Sequence, residues 1–198
     1  MTKHIGWPSI EQFRNVVKHV QHRASYVGMD DNGDAIYDKS RKSPTLTFEG
    51  TVKLHGTNAS VCMNPDGEMW VQSRSNVITP QSDNAGFAMF VEANKTTFQE
   101  LFMKINASNI MVIFGEWCGQ GIQKGVAISE VPKMFVIFGI ALVTSEGEKI
   151  YFTREAVEHI VYSIQAPIHC IYDFPRFNID IDFENPHESQ NKLNEITE

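Results

Sequence analysis

The sequence predicts a mixed α+β domain built mainly from antiparallel sheets. Two long apolar runs, NIMVIFGEW and KMFVIFGIALV, are typical of buried strands. Shorter alternating segments are joined by turn residues, and helical periodicity is confined to separate stretches. A length of 198 residues suits one domain of ordinary size, so a single domain is predicted over residues 1–198.

Composition narrows the class of protein without naming a partner. The hydrophobic fraction of 42% is enough for a core, and no apolar run approaches the length of a membrane span. The N-terminus lacks a signal-peptide core, so we expect a cytoplasmic protein with no membrane partner. The net charge of −7 includes −5 from residues 173–198, which leaves a nearly neutral body that is able to present a basic groove.

The three cysteines are expected to be buried free thiols. Cys62, Cys118 and Cys170 are widely spaced and odd in number, and no CxxC motif or Cys/His cluster is present. The sequence therefore indicates neither a disulfide framework nor a zinc site.

The N-terminal part is predicted to contain a helix and two hairpins. Ser9–Gln12 is typical of a capping box. Apolar residues at helical spacing form one face of the predicted helix: Ile10, Phe13, Val16, Val17 and Val20. YVGMDDNGDAIYD predicts a hairpin that turns at Asp31-Asn32-Gly33. Leu46, Phe48 and Val52 alternate with polar residues, which places Lys53 on the opposite face. ASVCMN then turns into EMWVQSRS, so Lys53 is expected beside an antiparallel hairpin.

The C-terminal part is predicted to alternate helices with short strands. Residues 85–105 show helical spacing that weakens around Asn94. EGEK is a hairpin turn, and Thr153 is expected to cap a helix. IHCIYDF and FNIDIDF are short strands, and Asn185-Pro186 opens a polar helix.

Four motifs occur in an order that points to nucleotide chemistry. They are KLHGTN (53–58), QSRS (72–75), FGEWCGQGIQKG (114–125) and KMFVIFGI (133–140). Together they resemble the covalent nucleotidyltransferases, and specifically the RNA ligases of the bacteriophage end-joining and editing-ligase branch. The resemblance extends over roughly residues 1–185 and implies the ligase adenylation-domain fold. It rests on the motifs jointly, because each one alone is common.

The resemblance implies an ATP-dependent RNA ligase that acts in RNA repair with Mg²⁺. Lys53 is then the nucleophile, and the amine of a lysine attacks only when it is neutral. The implied reaction forms a lysyl-AMP intermediate on Lys53 and transfers AMP to the 5′-phosphate of an RNA strand. That 5′-phosphate is then joined to a 3′-OH. The implied partners are ATP and RNA ends or a nicked RNA duplex, and no membrane.

The resemblance also assigns the residues that bind ATP. They are Lys53, His55, Gly56, Asn58, Arg74, Glu116 and Phe138. Gly56 allows close approach of the backbone to the nucleotide, and Asn58 holds the metal ion through water. Arg74 is assigned to a phosphate group. A carboxylate such as Glu116 is costly to bury in an apolar strand without a partner, and the ribose hydroxyls are the implied partner. Phe138 stacks on adenine, whereas Phe135 has the opposite strand parity and is expected to face the core.

Each assignment has a plain structural alternative. His55 stands where many relatives have an acid, and orienting the loop is its expected role. The alternative for Arg74 is an ordinary surface arginine, and the alternative for Asn58 is a turn residue. Glu116 is otherwise explained by a structural ion pair, and Phe138 by a position in the core. Lys124 in GIQKG is not expected to be required.

Two further motifs of complete relatives are missing from the sequence. They are a late Glu-Gly pair and a Lys-x-Lys strand, motifs IV and V, and Glu146-Gly147 is better explained as a hairpin turn. We therefore expect a truncated, C-terminally incomplete adenylation domain that is inactive or weakly active by itself. The alternatives are a non-catalytic nucleotide- or RNA-binding remnant, or a DNA ligase or capping-type nucleotidyltransferase. The wording of HGTN and FGEWCG favours the RNA branch.

Overall fold

A computed structural model describes residues 3–197 of the chain. Its elements in chain order are α1 (Phe13–Ser25), β1 (Tyr26–Met29), β2 (Ala35–Tyr37), β3 (Thr45–Thr51), β4 (Thr57–Met63), β5 (Met69–Ser73), β6 (Val77–Ile78), α2 (Phe87–Ala93), α3 (Lys95–Ile105), β7 (Ile110–Cys118), β8 (Met134–Val143), β9 (Lys149–Tyr151), α4 (Arg154–Val161), β10 (Ile168–Cys170), β11 (Arg176–Asp182) and α5 (Pro186–Thr197). The predicted α+β class, with mainly antiparallel sheets and flanking helices, is confirmed. The described residues form two compact units, the first from residues 3–7 and 51–175 and the second from residues 8–50 and 176–197.

A seven-stranded sheet organises the first unit. Its strand order is β10-β8-β7-β4-β5-β6, and β9 pairs with β8. Every pairing is antiparallel except that of β10 with β8. The two long apolar runs became β7 and β8 beside each other in the sheet, as expected of strands that are covered on both faces.

One face of this sheet, called the core face below, packs against helices. It presents alternate residues of the central strands, among them Val61, Ile113, Trp117, Phe135 and Ile137, all of them buried. Helices α2, α3 and α4 supply the apolar side chains that cover it, including Phe87, Phe98, Phe102 and Val157. Phe135 is completely buried and lies 4.9 Å, ring centroid to ring centroid, from Phe87.

The opposite face of the sheet, called the site face below, carries fewer apolar residues and is crossed by the N-terminal segment. Gln72 is completely buried there, accepts a hydrogen bond from the Ile5 amide (2.7 Å) and donates to the Ile5 carbonyl (3.0 Å). The side-chain Nε2 of Gln72 also donates to the Ser60 hydroxyl at 2.8 Å. A buried polar side chain with these bonds fixes the backbone of Ile5 over the site face of the sheet.

A β-bulge interrupts the pairing of β7 with β8. Phe114 faces Gly139 and Gly115 faces Ile137, so Phe138 is the extra residue of β8. On either side of the bulge, Ile137 and Ile140 both reach the core face. Because of the bulge, the consecutive residues Phe138 and Gly139 both lie on the site face. Ile137 before them and Ile140 after them both remain on the core face.

The second unit contains the predicted N-terminal hairpin and the predicted C-terminal helix. Strands β1 and β2 are antiparallel, and β11 pairs with β3. Helices α1 and α5 pack on β11 through a cluster centred on Ile179, Ile181 and Phe183. The predicted opening of α5 at Pro186 is confirmed.

The helix ends show which local signals were sufficient. Thr153 accepts a hydrogen bond from the Ala156 amide and begins α4, as predicted. The helical stretch over residues 85–105 is divided at Asn94, whose side-chain amide donates to the Phe90 carbonyl. The Ser9 capping box was wrong, because α1 begins at Phe13 after an extended Gln12, and Ile10 is 91% exposed.

The three thiols are free and buried, as predicted. Burial raises the pKa of Cys118 to about 12 and the pKa of Cys170 to about 11, so neither thiol ionises near neutral pH. Among residues 3–197, no helix has both the length and the apolar character that crossing a bilayer requires.

Phe135 and Phe138 provide a test of the two faces of β8. We expect Phe135→Ala to lower the free energy of unfolding by about 3–5 kcal/mol, because it opens a cavity in a close-packed core. Phe138→Ala should cost clearly less, since this side chain is only half-buried. Urea denaturation followed by tryptophan fluorescence measures both. Equal losses would contradict the assignment of the two rings to different faces.

Candidate active site

The predicted nucleophile lies in a loop and not within a strand. β3 ends at Thr51 and β4 begins at Thr57, and residues 52–56 connect them. The Lys53 and His55 side chains are exposed. The predicted antiparallel hairpin beside Lys53 is confirmed, since β4 pairs with β5 from Ala59 to Met63.

Gly56 fastens this loop to β7 by close backbone contact. Its amide donates a hydrogen bond to Glu116 Oε1 at 3.0 Å, and its carbonyl accepts one from Gln123 Nε2 at 3.0 Å. A Cβ at this position would lie 2.3 Å from the Trp117 carbonyl oxygen and 2.7 Å from Cys118 Cβ. Only glycine allows the approach, so the position of the loop depends on the missing side chain.

The register of the sheet places Asn58 beside Glu116. These two residues are direct partners in the pairing of β4 with β7, and Glu116 is the partner of Val136 on β8. Directly opposite residues in an antiparallel pair project from the same face. An amide and a carboxylate therefore lie side by side on the site face, next to the strand that carries Phe138.

Glu116 is a half-buried carboxylate in a mixed electrostatic environment. Burial raises the pKa of its carboxyl, while the Gly56 N–H and the charges of Lys53 and Arg74 act in the opposite direction. Burial is the largest of these influences. The structure thus brings Lys53, Gly56, Arg74 and Glu116 into one electrostatic group, although their motifs are up to 63 residues apart in the sequence.

Arg74 lies in the turn between β5 and β6 and borders an open cleft. The cleft has a volume of about 630 Å³, and its lining is mostly hydroxyl and amide side chains, among them Thr57, Ser73, Ser75, Asn76 and Asn84. The Asn84 side chain donates to the Thr57 hydroxyl at 3.1 Å, which joins the two sides of the cleft. The Asp83 carboxylate also lines the cleft, and it accepts hydrogen bonds from the Ala88 and Met89 amides at the start of α2. The Arg74 guanidinium supplies the positive charge that a phosphate group requires.

Phe138 lies on the site face as predicted, and Phe135 on the core face. Phe138 is half-buried and makes an edge contact with Trp7, with ring centroids 5.2 Å apart. Trp7 also contacts Phe114 and Tyr151. Its indole rests on Gly139, where a Cβ would come within 2.5 Å of the ring.

Sequence reasoning missed two residues of this site. Gln123 holds the loop that carries Lys53, although only the neighbouring Lys124 was considered as a candidate in the GIQK motif. Trp7 packs on the predicted adenine residue, and no local signal marked it. Its contact is with residues more than 100 positions away in the sequence. His55 is exposed in the loop and joins none of the contacts described above.

The oxygen donors here suit a magnesium ion held mainly through water. Among residues 3–197, no three His, Cys, Asp or Glu side chains are grouped so that they would form a metal site by themselves. Mg²⁺ in nucleotide enzymes keeps several waters and uses one or two protein ligands plus substrate phosphates. The Asn58 amide oxygen beside the Glu116 carboxylate fits that mode of binding.

Comparison with known protein families gives the class of protein. A protein-family model described as RNA ligase matches residues 46–193, about three quarters of the chain. The chain belongs to the RNA ligase family.

Solved structures with a similar fold include RNA ligases of Naegleria gruberi. A mutant of that enzyme with AMP and Mn matches with a TM-score of 0.57 and 17% identity, over 90% of this chain and 44% of that chain. A second mutant with AMP and Mn matches with a TM-score of 0.58 and 18% identity. The enzyme with PPi matches with a TM-score of 0.57 and 17% identity. The chain spans less than half the length of these ligases, and the likeness shows the fold.

The burial of Glu116 predicts a pH-dependent cost to stability. Because the folded state raises the pKa of this carboxyl above 4.5, its ionisation opposes folding as the pH rises from that value. Glu116→Gln keeps an acceptor for the Gly56 N–H and removes the charge. We expect this variant to melt at a higher temperature than wild type at pH 7 and at the same temperature below pH 4.5.

Glu155 is a matched control with the opposite sign. Hydrogen bonds at the start of α4, from its own backbone amide and from Thr153, lower the pKa of this exposed carboxyl. Glu155→Gln should therefore melt below wild type at pH 7 and lose that difference in acid. Thermal unfolding across this pH range compares both variants. A Glu116→Gln variant that is less stable than wild type at pH 7 would contradict the assignment.

Proposed function

We propose that this chain supplies the nucleophile and the nucleotide site of an ATP-dependent RNA ligase. The observation that carries the proposal is the Gly56 N–H to Glu116 bond, which fastens the lysine loop to the carboxylate strand. Lys53 and Arg74 both act on that carboxylate, so the three motif residues form one group. Membership of the RNA ligase family supports this function.

The proposed first step is a phosphoryl transfer to Lys53. The neutral amine attacks the α-phosphorus of ATP, an N–P bond forms, and the bond from that phosphorus to the bridging oxygen of the β-phosphate breaks. Pyrophosphate leaves, and the amine loses a proton to solvent. The product is lysyl-AMP, and the protein contributes positioning and charge neutralisation.

Each site residue has a proposed role in this step. Arg74 forks onto a phosphate, Glu116 accepts hydrogen bonds from the ribose hydroxyls through its second oxygen, and Phe138 stacks on adenine. Asn58 holds Mg²⁺ through water, and His55 orients the loop. When bound, the ion neutralises phosphate charge.

The later proposed steps join RNA. AMP passes from Lys53 to the 5′-phosphate of an RNA strand, which breaks the N–P bond and forms a 5′–5′ pyrophosphate linkage. A 3′-OH then attacks that 5′-phosphate, and AMP leaves. RNA ends or a nicked duplex are the proposed substrates, and RNA repair is the proposed setting.

Labelling with ATP tests the nucleophile. We expect ATP labelled at the α-phosphate to mark the protein covalently but slowly, because motifs IV and V are missing from the sequence, in an acid-labile linkage that hydroxylamine cleaves, as for a phosphoramidate. Lys53→Ala should abolish the label, because it removes the attacking nitrogen. Lys124→Ala is the matched control and should keep most of it. Undiminished labelling of the Lys53 variant would refute the assignment.

Two further variants separate nucleotide binding from chemistry. Glu116→Ala and Phe138→Ala remove the proposed ribose and base contacts and leave Lys53 in place. Each should weaken apparent ATP affinity by about 1–3 kcal/mol, the scale of one hydrogen bond or one stacked base. Initial labelling rates at increasing ATP concentrations measure this. If saturating ATP restores neither variant, the two residues have a structural role instead.

A further inference from the structure

Helix α1 presents a row of cations that the proposed chemistry does not use. Its sequence, FRNVVKHVQHRAS, contains three Arg or Lys residues and two His residues but no acid. Arg14, Lys18 and His22 recur every four residues, so they form one stripe with a spacing of about 6 Å along the axis. All three are exposed, and among residues 3–197 neither Arg14 nor Lys18 forms an ion pair.

The stripe ends at an exposed aromatic cluster. The His22 ring stacks on Tyr37, with centroids 4.4 Å apart and an angle of 29° between the rings. Tyr26 makes an edge contact with Tyr37 at 5.9 Å. The two tyrosines are 40% and 42% exposed, so part of each ring remains accessible to solvent. We call Arg14, Lys18, His22, Tyr26 and Tyr37 the basic–aromatic strip.

The acidic residues nearby are separated from this strip or already bonded. Asp30, Asp31 and Asp34 lie at the turn of the β1–β2 hairpin, whereas Tyr26 and Tyr37 pair at its open end. Three residues of strand separate the two ends, a distance of about 10 Å.

Asp38 directly follows Tyr37 in the chain and is an acid beside the aromatic cluster. It accepts hydrogen bonds from the Ser40 amide and hydroxyl and faces the charge of Arg41. The Arg41 guanidinium in turn donates to the Tyr26 carbonyl at 2.6 Å. Arg14 therefore lies at one end of the strip and Arg41 at the other. The excess of positive charge is local, because residues 8–50 as a whole contain equal numbers of Arg/Lys and Asp/Glu side chains.

We propose that the basic–aromatic strip binds a single-stranded segment of RNA. The inference rests on the proposed function, which supplies RNA as the substrate. Regularly spaced cations suit successive phosphates, and exposed rings suit unstacked bases. A duplex keeps its bases inside, so the aromatic end of the strip favours a single strand. Exposed tyrosines also occur at protein interfaces, but a protein partner gives no reason for cations at a regular spacing along one stripe.

Fluorescence anisotropy with a labelled single-stranded RNA, titrated at several salt concentrations, tests the charged part. Arg14→Ala/Lys18→Ala should weaken binding about tenfold at low salt. It should also reduce the slope of log K against log salt by about 1.4, the value for two lost phosphate contacts on a single strand. Lys95→Ala/Lys192→Ala removes the same charge from exposed positions elsewhere and is the matched control.

The aromatic part has its own pair of variants. Tyr37→Ala should weaken binding about five- to tenfold, and Tyr37→Phe should bind as wild type does, because it keeps the ring face. Circular dichroism verifies that each variant is folded. A duplex RNA of the same sequence should bind less tightly and should show no loss with Tyr37→Ala.

Several outcomes would overturn the proposal. They are unchanged RNA affinity in the strip variants, equal loss in the lysine control, or equal effects on duplex RNA. Strip-dependent binding to vesicles that contain phosphatidylserine, without RNA binding, would assign the surface to a membrane instead.

The labelling experiment separates this inference from the proposed function. Labelling of Lys53 together with RNA binding that ignores the strip would refute the strip alone. Strip-dependent RNA binding without any labelling would refute the proposed chemistry and leave the strip standing.

Discussion

The site depends on how closely the backbone at Gly56 approaches β7. Hydrogen bonds hold this residue on both sides, from its amide to Glu116 and from Gln123 to its carbonyl. The approach leaves no room for a Cβ against the Trp117 carbonyl. Because Lys53 lies three residues earlier in the same short loop, these contacts limit where its amine reaches. The loop between β3 and β4 has no regular structure of its own, so its geometry comes from its neighbours.

The two faces of the central sheet contribute differently to the molecule. The core face is apolar and covered by three helices, and it supplies the stability of the first unit. The site face accommodates buried polar groups, including the fully bonded Gln72 and the incompletely compensated Glu116. A half-buried carboxylate with a raised pKa, near a lysine and an arginine, is a feature of sites that receive a ligand. The sheet thus separates stability from chemistry by strand parity.

Local patterns in the sequence predicted much of the fold. The apolar runs gave β7 and β8, the turn residues gave the hairpins, and parity assigned Phe135 and Phe138 to opposite faces. The same logic failed where contacts are distant in the sequence. Gln123 is defined as a site residue by a bond to Gly56, 67 positions away, and Ser9 has capping chemistry but no helix to cap. The division into two units is likewise a property of contacts and not of composition.

The bulge at Phe138 makes β8 two half-strands of opposite phase. Residues before it place odd numbers on the core face, and residues after it place even numbers there, as Ile137 and Ile140 show. Pairing Phe138 into a regular ladder would turn one half of the strand over, so that Ile140 would point toward the site face and Ala141 into the helices. Deleting Phe138 would instead restore a regular ladder with Ile137 and Ile140 still on the core face. The tolerance of this strand to insertion and deletion is therefore set by a single unpaired residue, the same one that is proposed to contact adenine.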